Sequence, residues 1–535
     1  MRHGDAPHAG AWPPPSVRST YFTVFALTLL GLALRLSGLG RLDFWYDEIV
    51  LRNYSLTGSS LYTPTEPPLM AWLLYAVMSW TKSADAFLIH LVPAILGTLA
   101  IPVAFVLAER ITQSRTIGVI AALLTALSPM AIYYSREARP YALLMLVSAA
   151  VYWAFVRANE RNTLPAWTVY ACVLLLCCLS HLVTVQIVAA LGLFAVAQLA
   201  IPSLSSEPRN RRFARFGRFV VFSLAAGAAG FAWFVPRFLT DPAIQANQNR
   251  IFGGSVYRYG VVAFLRDVVV NLGPGPVGQR FAMASLDRAE LFGLMVLTLF
   301  MTGMWQLRKQ GRSDAAALLG LAVGVPLVIE YLTLGEKSSW DWMRWMSHAV
   351  VPYLVVVGVG LNGLAGVRPG GMTPAIGAVA LAVIVLPQAL HPPERPDYQQ
   401  SRNVAAYLEA HAAGLHGVLI PPFQVGMVHP ADQRIMDTYY YLKQETLPVY
   451  VLNMGKIRKA VLAPTRGHVA MLPREGDDPI EDLESGRYAV LTRQRSADCG
   501  TMLRSIGGQK AVARRSSPVM PGLTVCDLEF GGAPN

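Results

Sequence analysis

The chain has 535 residues, 53% of them hydrophobic and 15% charged, and a mean hydropathy of +0.39. A soluble domain carries nearer a quarter of charged residues, so the composition excludes a water-soluble enzyme and indicates a polytopic α-helical membrane protein. Lys and Arg outnumber Asp and Glu by 45 to 33, yet the basic residues form short clusters between apolar runs and no basic stripe carries interleaved aromatics; the expected partner is the lipid bilayer and no nucleic acid.

Residues 1–19 are polar and Pro-rich (Trp12-Pro13-Pro14-Pro15) and read as a disordered cytoplasmic tail without a cleavable signal peptide. Apolar runs of spanning length follow at roughly 20–38, 86–108, 114–134, 140–157, 165–181, 183–201, 217–237, 289–307, 315–334, 347–366 and 373–391. That predicts about eleven transmembrane helices over residues 20–391. The linkers holding Arg110 and Arg115, Arg157 and Arg161, Arg209 to Arg218, and Arg308 to Arg312 then share one side, which the positive-inside rule makes cytoplasmic. The opposite, extracytoplasmic side receives a first loop at 39–85, the loop Ser135–Arg139, loops near 238–288 and 335–346, and the C-terminus. The expected location is a plasma membrane, crossed many times.

From residue 392 the texture changes, and 392–535 reads as a soluble α/β domain on the extracytoplasmic side. Asn403–Ala412 is patterned as an amphipathic helix with Val404, Tyr407 and Leu408 on one face. Gly417–Ile420, Tyr439–Leu442, Val449–Leu452 and Tyr488–Thr492 are patterned as strands. Cys172, Cys177 and Cys178 lie in an apolar run and read as core packing. Cys499 and Cys526 are the two cysteines of the soluble domain, and an oxidising compartment lets them pair.

Four extracytoplasmic features can carry chemistry. Asp47-Glu48 follows Phe44-Trp45-Tyr46 just after the first span; the residues fit either a ligand site or a solvated loop with an aromatic belt. Glu66-Pro67-Pro68 opens the apolar-aromatic stretch Met70–Trp80, too short to span and suited to an interfacial helix. Ser135-Arg136-Glu137-Ala138-Arg139-Pro140-Tyr141 places two guanidiniums and a carboxylate in one tight loop. Finally, Trp340 to Trp345 interleaves three tryptophans with Asp341 and Arg344 just before a span. Arginines hold a phosphate bidentately, and a nearby carboxylate can deprotonate an acceptor. The bland alternatives are arginines that snorkel and pair with Glu137, and tryptophans that form a belt. The histidines are scattered, with no metal-binding spacing; the carboxylate pair is the one place where a divalent metal could bind. No phosphate-binding glycine loop or dinucleotide fingerprint occurs.

The Asp-Glu pair after the first span, the Glu66-Pro67-Pro68-Leu69 segment opening an apolar-aromatic helix, and the Ser-x-x-Ala-Arg-Pro-Tyr-Ala loop resemble the bacterial branch of the GT-C glycosyltransferases. That superfamily includes the protein O-mannosyltransferases and the lipid A aminoarabinose transferases. Arg344-Trp345 leading into a span with Pro352, and a soluble domain after the last span, are similar too; the resemblance covers roughly residues 20–390. It implies a membrane glycosyltransferase that uses a polyprenyl-phosphate sugar donor and a cell-envelope lipid, glycan or protein acceptor. It also implies that Asp47 is the base or positioning carboxylate, with Glu48 beside it, and that Arg344, then Arg136 and Arg139, hold the lipid phosphate. His181, Glu66, Trp345 and Tyr46 are the further substrate-binding candidates. Two departures stand out: many relatives have Lys or His at the position of Glu66, and a Tyr where this chain has Trp345. Two other classes remain, a transporter or flippase for a lipid-linked sugar and a non-catalytic envelope scaffold. The first expects ionisable residues in mid-span, where Glu330 is the main instance; the second leaves Asp47-Glu48 and the arginine loops unused.

Overall fold

The computed structural model describes residues 17–41, 67–83, 85–205, 207–240, 279–333 and 344–365, with single residues between 44 and 55 and between 245 and 268. In the C-terminal region it describes residues 401–411 and six strands. By backbone contacts the chain forms two compact units. One is Met1–Leu39, Tyr62–Met70 and His90–Pro393; the other is Gly40–Leu61, Ala71–Ile89 and Glu394–Asn535.

The helices in order are α1 (Val17–Leu36), α2 (Leu69–Thr81), α3 (Ala86–Thr112), α4 (Arg115–Leu127), α5 (Pro129–Tyr134), α6 (Tyr141–Arg161), α7 (Leu164–Cys178), α8 (Thr184–Ala200), α9 (Arg209–Phe231), α10 (Val235–Thr240), α11 (Gln279–Lys309), α12 (Ser313–Thr333), α13 (Val350–Ala365) and α14 (Ser401–Ala410). A 3-10 turn, Arg344–Ala349, leads directly into α13. Five segments among the described residues are long and apolar enough to cross a membrane: α1, α3, α6, α12 and Arg344–Gly363. The apolar helices α2, α4, α7 and α8 are shorter. In the first unit α6 packs on α7, α7 on α9, α8 on α12, α4 on both α1 and α13, and α11 on α13. The α11–α13 crossing is close because Gly303 and Gly360 face the partner backbone: a Cβ on Gly360 would lie 2.0 Å from Leu299 O, and one on Gly303 2.1 Å from Val356 O. Small residues let membrane helices approach in this way.

Three spans differ from the sequence expectation. The run 114–134 is broken at Ser128-Pro129, because Pro129 has no N–H to continue α4. Ser128 Oγ accepts from Ala131 N at 3.2 Å and starts α5 instead. The expected span 217–237 begins eight residues earlier, at Arg209 after Pro208, so the arginines form the first turns of α9 and are not a linker. The expected span 289–307 is part of the longer α11. The division at His181 is present, between α7 and α8. The run 373–391 lies outside the described residues.

The basic segments meet at one end of the first unit. Arg110 pairs with Glu160, Arg115 with Glu109 at 3.2 Å, Arg218 donates to Asn162 and Arg312 donates to Ile111 O. At the other end Arg136 Nη2 donates to Ser37 O at 2.6 Å and Leu69 N to Leu179 O at 2.9 Å. Linkers therefore alternate between two ends, as the charge pattern predicts. Cys177 and Cys178 are buried between helices, whereas Cys172 faces outward on α7, so the core-packing reading holds for two of the three.

In the second unit the strands are β1 (Leu415–Ile420), β2 (Val449–Asn453), β3 (Lys456–Lys459), β4 (Gly486–Thr492), β5 (Ala511–Met520) and β6 (Leu523–Phe530). They form one mixed sheet in the order β3-β2-β1-β4-β6-β5, with β1 parallel to β2 and β4 and the other pairs antiparallel. Helix α14 buries Ala405 and Leu408 and contacts β5; of the expected face, Leu408 is buried and Tyr407 half-buried. The expected strand Tyr439–Leu442 and the Cys499–Cys526 pairing lie outside the described residues.

Candidate active site

The site begins with a helix that ends early. Because Pro129 cannot donate to Thr125 O, and α4 stops before a residue can donate to Ala126 O, two carbonyls at the end of α4 need other donors. Arg35, in the last turn of α1 and fully buried, supplies them: Nη2 to Thr125 O at 3.2 Å and Nη1 to Ala126 O at 3.3 Å. Its Nη1 also donates to Gly31 O at 2.9 Å and its Nε to Ser135 Oγ at 3.1 Å. One guanidinium thereby joins α1, α4 and the first residue of the Ser135–Tyr141 loop. Gly97 of α3 makes room for it, since a Cβ there would sit 1.8 Å from Ser135 Oγ.

The loop then presents its side chains inward. Arg136 and Arg139 are 8% and 6% exposed, so neither snorkels to water. They do different things. Arg136 ties the loop to the end of α1 through Ser37 O, and burial lowers its pKa. Arg139 lies with its Cζ 6.0 Å from the Tyr141 ring centroid, and that ring is 6.0 Å from the imidazole of His181. Tyr134 packs edge-on against Tyr141 at 5.2 Å. On the far side, the 3-10 turn brings Arg344 to 5.6 Å from the Trp345 ring and buries His348. Ser148 Oγ donates to His348 O at 3.2 Å, which joins this turn to α6.

His181 is the point where these groups meet. Its Nδ1 accepts from Val183 N at 3.2 Å, so the proton of the neutral ring is on Nε2. Burial, then the positive fields of Arg139, His348 and Arg344, hold its pKa down to about 3. The ring is neutral at pH 7, and its Nε2–H is a donor near two guanidiniums. The linkage has a definite sign. As pH falls below about 6.5 the unfolded chain takes up a proton that the folded chain refuses until about pH 3, so stability is complete above 6.5 and is lost toward 3. A His181→Asn variant is expected to show a shallower fall in Tm between pH 7 and 4.5 than the wild type, measured by thermal unfolding in detergent; equal slopes would contradict it.

Of the residues expected from sequence, Arg139, His181, Arg344 and Trp345 come together in the first unit. Trp345 is buried, which corrects the reading of that tryptophan as part of an interfacial belt. Arg136 is a neighbour with a tying role. Glu48 belongs to the second unit and is 2% exposed. Tyr46, Asp47 and Glu66 lie outside the described residues. Among the described residues no three His, Cys, Asp or Glu side chains gather as metal ligands. Sequence reading missed Arg35 and His348. A lone arginine in the last turn of an apolar span was a legible signal for the first. For the second, spacing gave no signal: Arg344–Ala349 is a 3-10 turn in which His348 stands three residues after Trp345, its Nδ1 2.7 Å from Trp345 O. Glu330, the mid-span exception, is three residues from the end of α12 and accepts from Gln186 Nε2 at 2.6 Å in a buried pair.

The dolichyl-phosphate-mannose-protein mannosyltransferase family matches residues 65–210, which include the Ser135–Tyr141 loop and His181. No curated protein matches the chain in sequence. Among solved structures, ArnT from Cupriavidus metallidurans in the apo state is similar with a TM-score of 0.58 at 13% identity, over 96% of this chain and 98% of that one. The same protein bound to undecaprenyl phosphate gives 0.57 at 14% identity over the same shares. The apo oligosaccharyltransferase of Archaeoglobus fulgidus gives 0.54 at 12% identity, over 79% of this chain and 64% of that one. This chain thus shares its fold with ArnT along nearly its whole length, and the mannosyltransferase family match covers the loop that carries Arg139.

Proposed function

We propose that the protein transfers a sugar, with inversion, from a polyprenyl-phosphate donor to a lipid, glycan or protein of the cell envelope. The carrying observation is the buried cluster of Arg139, Tyr141 and His181, with ring and guanidinium spacings of 6.0 Å, beside the turn of Arg344 that Ser148 ties to α6, at the end of the bundle opposite the basic residues. Two cations and a neutral Nε2–H donor suit a leaving phosphate, whose charge grows as the glycosidic bond breaks. The similarity to ArnT, solved with undecaprenyl phosphate, supports a polyprenyl phosphate as the lipid.

In this reading an acceptor hydroxyl or amine attacks the anomeric carbon as a base takes its proton. The bond from that carbon to the phosphate oxygen breaks, and the electron pair leaves with polyprenyl phosphate. Asp47 is the base on the strength of the sequence resemblance, with Glu48 as its neighbour; Tyr46, Glu66 and Trp345 are candidates for sugar contacts. The reaction face is extracytoplasmic, about eleven helices span a bacterial plasma membrane, and the region from 392 is a soluble domain on the same face. Arg35 and Glu330 are buried ionisable groups near the ends of their helices, which fits a surface reaction better than a path through the bilayer.

The test is incubation of purified protein with a panel of radiolabelled polyprenyl-phosphate sugars plus envelope extract, scored for released polyprenyl phosphate. Arg344→Ala is expected to reduce release by about 10²–10³-fold, the size of effect seen when a transition-state charge loses one donor. Arg344→Lys should recover part of it, because a point charge remains while the bidentate fork is lost. Full activity in Arg344→Ala would remove the phosphate-binding role.

A further inference from the structure

The turn that carries Arg344 is held from α6 by one buried hydroxyl. Arg344–Ala349 is a 3-10 turn that runs straight into α13, and Pro352 lies in the first turn of that helix. Were residues 344–349 α-helical, the N–H of residue 352 would donate to His348 O. Proline has no N–H, and its ring crowds the carbonyl four residues back. The segment is therefore wound as a 3-10 turn, and the buried His348 carbonyl takes a donor from another element.

Ser148 of α6 is that donor. It is fully buried, and its Oγ lies 3.2 Å from His348 O and 3.1 Å from Met145 O, so one proton is shared between two carbonyls. The ring of His348 then braces the turn from inside, with Nδ1 2.7 Å from Trp345 O. A carbonyl only accepts, so the imidazole proton sits on Nδ1 and is donated to Trp345. The Trp345 ring in turn lies 5.6 Å from the Arg344 guanidinium. Ser148, His348, Trp345 and Arg344 thus form one chain of contacts from the interior of α6 to the cation. Tyr141, which meets Arg139 and His181, opens the same helix two turns before Ser148. Helix α6 therefore sets both arginines of the site in one frame.

We propose that Ser148 and His348 are positioning residues that fix Arg344 for the lipid phosphate, an inference that rests on the phosphate role proposed for Arg344. The test is binding of undecaprenyl phosphate to the purified full chain in neutral detergent, read as a saturable rise in Tm. Arg344→Ala is expected to raise the half-saturating concentration about tenfold or more, the worth of a hydrogen bond to a charged group. Ser148→Ala should raise it about fivefold alone and less than about twofold in an Arg344→Ala background, the non-additivity of residues in one network. Loss of packing alone would lower the ligand-free Tm in both backgrounds and leave half-saturation where it was. If Ser148→Ala does not fold, His348→Leu and His348→Asn decide the matter. Leucine loses the bond to Trp345 O and should weaken binding about fivefold; asparagine keeps an N–H donor and should recover most of that loss. Unchanged half-saturation in Ser148→Ala, an additive double variant, or equal weakening by leucine and asparagine would overturn the positioning role. No saturable rise in the wild type, or an Arg344→Ala chain that binds as the wild type does, would overturn the phosphate role itself.

Discussion

Asp47→Asn is expected to slow sugar transfer by about 10²–10⁴-fold, the usual contribution of a positioned general base, while the chain still inserts and unfolds at its normal Tm. Asparagine keeps the shape of the side chain and cannot accept the acceptor's proton. The proton must leave as the acceptor oxygen or nitrogen attacks, so the loss falls on kcat with KM for the donor little changed. Asp47 follows three aromatic residues directly after the first span, a position where a carboxylate meets both lipid-borne and water-borne substrates. Released polyprenyl phosphate from purified wild type and variant, at saturating donor, is the measurement. A variant within a few-fold of wild type would move the base elsewhere, with Glu48 the next to be changed.

Arg35→Met should cost about 3 kcal/mol or more of stability and reduce transfer as well. The methionine fills much of the same volume but strands the Thr125 and Ala126 carbonyls and the Ser135 hydroxyl, all of which accept from the guanidinium. Each buried acceptor left without a partner costs about 1–3 kcal/mol. The activity loss would be indirect: Ser135 opens the loop that carries Arg139, so a loosened Ser135 lets Arg139 drift from its place beside Tyr141 and His181. Arg35 is a positioning residue by this reasoning. Its signature is a drop in Tm together with a weakened pH dependence of Tm, because the cationic field on His181 falls as Arg139 moves. Arg35→Lys should recover less than half of the stability, since one ammonium cannot span four acceptors in two directions. A Tm equal to wild type in Arg35→Met would remove the tie.

Much of the frame was legible because it depends on composition over long windows. Apolar runs of spanning length found the helices at 86–112, 141–161, 164–178, 184–200 and 313–333 to within a few residues. The break at Pro129 was visible as a proline but was passed over, because hydropathy averages across it. Likewise, the arginines after Pro208 looked like a linker because charge masks helix propensity, although Arg is a good helix former. Of the site, Arg139, His181, Arg344 and Trp345 were named from motifs and sidedness. That Arg136 and Arg139 part company, one to a carbonyl and one to an aromatic cluster, has no counterpart in their spacing.

The amino-acid sequence by itself determined that this is a membrane-spanning chain, which end of the bundle is basic, and where the loops with arginines and carboxylates fall. Those properties follow from transfer free energies and charge summed along the chain, which need no knowledge of neighbours. Tertiary structure alone decided that Arg35 replaces the hydrogen bonds Pro129 cannot make, that His181 stays neutral near Arg139 and Arg344, and that Arg212 caps the Gln198 and Leu199 carbonyls at the end of α8. Each of these joins residues from 13 to more than 160 positions apart. A hydrogen bond, a field or a buried donor depends on what lies within a few ångströms, and helix packing sets that distance.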